Sequence, residues 1–137
     1  MASLKYIPLT QQKYCCVPTC LTMIMYRRGI PLISIESLGY ALGLTVPVED
    51  VYLFDEARTG DQPSAGWGTR INEPEFEVNK VLDELQIPLE VTVDKSISSM
   101  EDLRVKLQSV QDMDGDALIC FDYGILWNLN IRVCLLS

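Results

Sequence analysis

Residues 11–21 read Gln11-Gln12-Lys13-Tyr14-Cys15-Cys16-Val17-Pro18-Thr19-Cys20-Leu21, and the fold turns on how this stretch enters the segment that follows it. Pro18 suits the first turn of a helix, where the N–H it lacks would have no intrahelical partner. Leu21, Ile24, Met25 and Arg28 then fall on one i, i+3, i+4 stripe. Arg27-Arg28 place positive charge at the C-terminal end, and Gly29 supplies the stop. The spacing predicts a helix over 18–28 with Cys16 at its mouth and with Met23 and Met25 serving as packing residues.

Downstream, Ser34 can cap a second helix running to about Leu42, with Ile35, Leu38 and Leu42 on its buried side and Gly43 at its end. The segment Asp55 to Asn72 is polar and carries Gly60, Pro63, Gly66 and Gly68. It reads as a long loop, and a loop of that length in a compact domain is often functional. Helical spacing returns over Glu73 to Leu85, with Phe76, Val78, Val81, Leu82 and Leu85 apolar and Pro88 beyond the end. Leu89 to Val93 alternates as a half-buried strand does. Ser98-Ser99-Met100-Glu101 has the form of a capping box ahead of Leu103, Leu107 and Val110. Asp114-Gly115-Asp116 reads as a turn, Ala117 to Tyr123 as a buried strand, and Ile131 to Leu136 as a strand paired back on it. Helices at the front and a mainly antiparallel sheet behind predict an α+β fold.

With 137 residues the chain has the length of one domain, so a single domain over 1–137 is expected. Its net charge of −8 argues against nucleic acid and anionic membrane surfaces, both of which select for Lys and Arg. No run approaches the roughly 20 apolar residues that span a bilayer. Five cysteines, three of them crowded into positions 15–20, make a poor disulfide framework and point to the reducing cytoplasm.

Cys16 is the residue best placed for chemistry. Free N–H groups and the positive dipole end at a helix start favour a thiolate, the nucleophilic form of the residue. A glutamine amide a few residues upstream, Gln11 or Gln12, can donate to a developing oxyanion. Cys16 can equally be an inert thiol and the glutamines solvated loop residues. Cys120 and Cys134 are expected in the core. Trp67, between Gly66 and Gly68, is either a loop anchor or a binding platform. Cys15, Cys16 and Cys20 fall short of the four ligands zinc takes, with no CxxC pair and no histidine, so neither a metal nor a cofactor is expected. Asp112, Asp114 and Asp116 lack the spacing of a calcium loop.

The segment Gln11 to Leu21 resembles the papain-like cysteine peptidases, in particular the small branch that processes bacteriocin leader peptides. Gln11 matches that family's oxyanion glutamine, Cys16 its nucleophile, and Pro18 and Leu21 its helix opening. The resemblance implies a papain-like architecture with the cysteine helix packed on an antiparallel sheet, a peptide or protein as substrate or partner, and binding near Trp67 and Gly68. Val17 departs from the pattern, which has glycine there. The family's histidine belongs near Asn130 to Val133, where Arg132 stands. The chain contains no histidine at all, and the resemblance therefore implies a domain shortened at its C-terminus or degenerate.

A thiol that cleaves an amide needs a proton donor for the leaving amine, which imidazole supplies near neutral pH. Arg132 cannot substitute, because guanidinium holds its proton. The expected function is thus a cysteine-peptidase-like domain, inactive or incomplete as this chain. The alternative is a non-enzymatic interaction module that binds through residues 55–72.

Overall fold

The computed structural model describes residues 5–64, 66–120 and 132–136, and the side chains of Cys120 and of 132–136 are outside the description. The elements are helices α1 (Cys16–Arg27), α2 (Ile35–Ala41), α3 (Val78–Glu84) and α4 (Met100–Asp112), and strands β1 (Val91–Asp94), β2 (Asp116–Cys120) and β3 (Arg132–Leu136). Two 3-10 turns, Val48–Leu53 and Pro74–Phe76, lie between α2 and α3. The fold class is α+β. The chain divides into two compact units, residues 1–88 and 89–137.

In the first unit α1 buries Leu21, Ile24 and Met25, as its spacing predicts, while Met23 is only half-buried. The basic residue on the buried side is Arg27, under the Tyr6 ring, and Arg28 is the exposed C-cap. Ser34 caps α2 by accepting from the Ser37 N–H at 3.0 Å. Leu38 and Leu42 are fully buried beside Leu44 and Val46. Helical character over 73–85 is split: Glu77 adopts an extended ψ and its carboxylate takes the N–H groups of Asn79 and Lys80, so α3 starts at Val78 rather than Glu73.

Residues 55–72 are not a free loop. Leu44–Val46 is a short, fully buried extended segment that the loop holds on both sides. Arg58 donates to Leu44 O and accepts from Val46 N, both at 2.9 Å. Gly68 exchanges bonds with Thr45 at 2.8 and 3.0 Å, and the Arg70 N–H reaches Leu42 O. Buried backbone groups need partners, and here the polar segment supplies them without forming a regular strand.

All four α-helices end in the same way. The residue after the C-cap is left-handed and its N–H bonds three residues back, while the next N–H bonds five residues back. This is the Schellman arrangement, which satisfies carbonyls that the helix leaves open. Gly29 and Gly43 fill the left-handed position in α1 and α2, but Gln86 (φ 57) and Asp114 (φ 52) fill it in α3 and α4.

In the second unit the three strands form an antiparallel sheet in the order β1-β3-β2. Ser99 is the N-cap of α4 and accepts from Asp102 N–H. The reciprocal acid is Asp102, which takes the N–H and hydroxyl of Ser98, whereas Glu101, expected in that role, pairs with Arg104. Leu103 and Ile97 form a small core against Leu107 and against Ala117 and Ile119 of β2. Asp116, expected in the turn, opens β2 and is buried. Tyr123, Asn130 and Ile131 lie outside the described residues, and the expected burial of Cys120 and Cys134 concerns side chains outside them.

Candidate functional site

The chain approaches α1 through a run of anchored residues. Gln12 donates from its amide to Leu53 O at 3.0 Å. The Lys13 ammonium and the Tyr14 phenol both donate to Asp50 Oδ2, at 3.0 and 2.5 Å. Tyr14 takes a left-handed φ of 67° and packs its ring near Phe54. Cys15 N–H closes a turn on Gln12 O. The helix then starts two residues earlier than Pro18 suggests: Cys15 is the N-cap and Cys16 the first helical residue, which puts Pro18 at the third position. Pro18 is still in the first turn, where its missing N–H costs nothing.

The reversal at Tyr14 and Cys15 sends adjacent thiols to opposite environments. Cys15 is fully buried, in a cluster with Leu44 and Val46 flanked by Tyr14, Ile35 and Phe54. Burial, then the nearby Glu36 carboxylate, pushes its thiol up to about 11, so it stays protonated at neutral pH. Cys16 is exposed, and so is Cys20 one turn further along α1. No side chain caps the helix, so the N–H groups of Cys16 and Val17 are not taken by an N-cap side chain. Burial thus separates the two thiols, Cys15 closed off from solvent and Cys16 open to it.

Trp67 and Gly68 come to the same end of α1. A Cβ built on Gly68 would stand 3.3 Å from Tyr14 O, and Gly68 has φ +138°. The backbone of the 66–68 loop therefore runs against the residue two before Cys16, with Trp67 half-buried. Gln11 is exposed, and the glutamine that is engaged is Gln12, through Leu53. Beside Gln12 opens a cleft of about 440 Å³ whose lining includes Ser34, Glu36, Ser37, Asp55 and Glu56. Glu36 Oε2 accepts the N–H groups of Asp55 and Glu56 at 2.8 and 3.2 Å.

Asp50 is the residue the sequence reading missed. It sits in a stretch with no clear periodicity, and nothing in the spacing links it to Tyr14. Among the described residues no group of three or more Cys, Asp or Glu side chains is arranged to hold a metal ion. No helix of the described residues is long and apolar enough to cross a membrane. No family model matches this chain, and neither does a curated protein or a solved structure.

Proposed function

We propose that this chain is a papain-like cysteine-peptidase type of domain in which Cys16 holds the nucleophile position and which, as these 137 residues stand, does not turn over peptide bonds. The observation that carries the proposal is the solvent-facing thiol of Cys16 on the first residue of a helix with no side-chain cap, next to a buried, protonated Cys15. That position lies at the positive end of the helix dipole, among N–H groups that no N-cap side chain takes. Gln11 is the proposed oxyanion donor and the Trp67-Gly68 loop the proposed flank for a bound peptide in a reducing, cytoplasmic setting.

The missing imidazole sets what the thiol can do. A thiolate attacking a carbonyl forms a thioester if the leaving group departs unaided, but an amine must be protonated first. A nitrophenyl ester, whose phenolate leaves without a proton, separates the two steps. The intact chain is expected to release one equivalent of nitrophenolate in a burst, leave an acyl group on Cys16, and cleave no peptide amide. Cys16→Ala is expected to abolish the burst. A burst that survives in Cys16→Ala, or steady amide turnover by the intact chain, contradicts the proposal.

A second function, a non-enzymatic interaction module, is favoured by the anchoring of residues 55–72 on Leu44–Val46, which presents a preorganised loop. For that function Trp67→Ala weakens binding of a partner that Cys16→Ala leaves untouched.

A further inference from the structure

The turn that leads into Cys16 is strained and held from one side. Tyr14 has φ 67°, a left-handed conformation that a bulky side chain rarely adopts and that persists only where surrounding contacts enforce it. Those contacts come from the 3-10 turn Val48–Leu53 and the residue after it. Gln12 donates to Leu53 O at 3.0 Å, Lys13 to Asp50 Oδ2 at 3.0 Å, and the Tyr14 phenol to the same carboxylate oxygen at 2.5 Å. The Tyr14 ring lies 6.4 Å from that of Phe54, and Val51 and Phe54 both pack on the cluster that encloses Cys15. Three consecutive residues ahead of the adjacent thiols are thus tied to one distant segment.

We propose that Tyr14 and Asp50 are positioning residues for Cys16, their hydrogen bond locking the left-handed turn that keeps Cys15 in the core and sets Cys16 as the first residue of α1. The proposal rests on the reading of Cys16 as the nucleophile position and names what holds that position in place. Neither side chain touches a reacting atom; both act through the backbone of residues 14–16. A phenol bonded to a carboxylate is a charge-assisted pair, the stronger class of hydrogen bond, and it offsets the strain at Tyr14. Without that bond the turn relaxes towards the negative φ that tyrosine prefers. The rotation falls directly ahead of the N-cap, so it turns Cys15 out of its cluster and carries Cys16 off the first helical position. A thiolate at Cys16 then loses the help of the helix dipole.

Iodoacetamide alkylation of the full chain, followed at each cysteine by mass over a pH series, tests this in Tyr14→Phe and Asp50→Ala. Ser34→Ala, which removes the cap of α2, is the control that loses stability without touching the turn. Circular dichroism checks that each variant is folded, and denaturant gives its stability. In both turn variants Cys16 is expected to react about twofold to fivefold more slowly at neutral pH, the range of one helix-dipole interaction. The difference is expected to close at alkaline pH, where the thiol is ionised in every chain. Cys15 is expected to react faster than the loss of global stability accounts for, because it opens locally. Ser34→Ala should keep the native rate at Cys16, with Cys15 following global stability alone. A folded turn variant with the native Cys16 profile, or with Cys15 reacting only as global stability dictates, overturns the proposal. Absence of a nitrophenyl-ester burst from the intact chain instead overturns the nucleophile reading, and the alkylation rates still judge the turn.

Discussion

Tyr14 donates its phenolic proton to Asp50 Oδ2 at 2.5 Å, joining the residue two before Cys16 to the 3-10 turn over Val48–Leu53. Lys13 reaches the same oxygen at 3.0 Å. The Tyr14 phenol, with help from Lys13, holds the Asp50 carboxyl below the usual range, and the carboxylate in turn raises the phenol. A depressed carboxyl contributes stability that is present above the unfolded value of about 3.9 and is lost as pH falls through the folded one. Tyr14→Phe keeps the ring against Phe54 but removes the bond. Tyr14→Phe and Asp50→Asn are each expected to lower the denaturant midpoint, and the double variant to cost no more than the worse single one. Costs that simply add would show that the two side chains act independently.

Cys15 gives the first unit an alkaline limit. Its thiol rises from about 9.0 to about 11 on folding, through burial first and then the Glu36 charge. A raised value means the unfolded chain ionises first. Stability from this group is therefore complete below about 9 and is lost as pH climbs towards 11. Cys15→Ala should flatten that part of a stability–pH curve, at the cost of a small cavity. An unchanged alkaline slope would show that Cys15 is not buried as described.

The helix endings separate permitted from strained positions. Gly43 has φ +80°, and a Cβ there would meet Phe76 and Arg70 at 2.8–2.9 Å. Gly43→Ala is expected to destabilise the chain by more than about 1 kcal/mol. Gln86, which takes the equivalent position after α3 at φ 57°, carries the usual cost of a side chain in left-handed backbone. Gln86→Gly is therefore expected to be neutral or to stabilise by up to about 1 kcal/mol. Thermal melts of the two variants moving in the same direction would contradict this assignment.

In the second unit Asp94 accepts from the Ser96 hydroxyl and N–H and from Lys106. Those groups, Ser96 foremost, hold its carboxyl down to about 2. The stability it contributes is present above about 4 and is lost as pH falls towards 2. Asp94→Asn should remove part of the acid-induced loss of sheet signal over that window. An acid limb identical to the native one would rule the network out as its source.

Burial of Leu21, Ile24 and Met25 was legible because helical periodicity is a local property that packing then used. The same holds for the Ser34 cap and for Gly29 and Gly43, where residue chemistry names its own position, whereas the capping box read over Ser98 to Glu101 is one residue out, with Ser99 and Asp102 in those roles. The start of α1 was not legible. Whether Cys15 or Cys16 faces the core depends on the left-handed turn at Tyr14, and no rule of composition puts a tyrosine there; Asp50 holds its phenol from far along the chain. The split of Glu73–Leu85 was hidden for a related reason, since Glu77 serves better as a cap than as a mid-helix residue. Residues 55–72 read as loop by composition, yet their hydrogen bonds are spent on Leu42, Leu44, Thr45 and Val46, a pairing that only tertiary structure reveals.

The opposed environments of two adjacent thiols are tested most directly by alkylating the native chain with iodoacetamide at neutral pH and mapping each cysteine by mass over time. The account predicts that Cys16 is modified fastest, that Cys20 follows, and that Cys15 is spared until the chain is unfolded. Modification of Cys15 at a rate equal to or above that of Cys16 in the folded chain would contradict it.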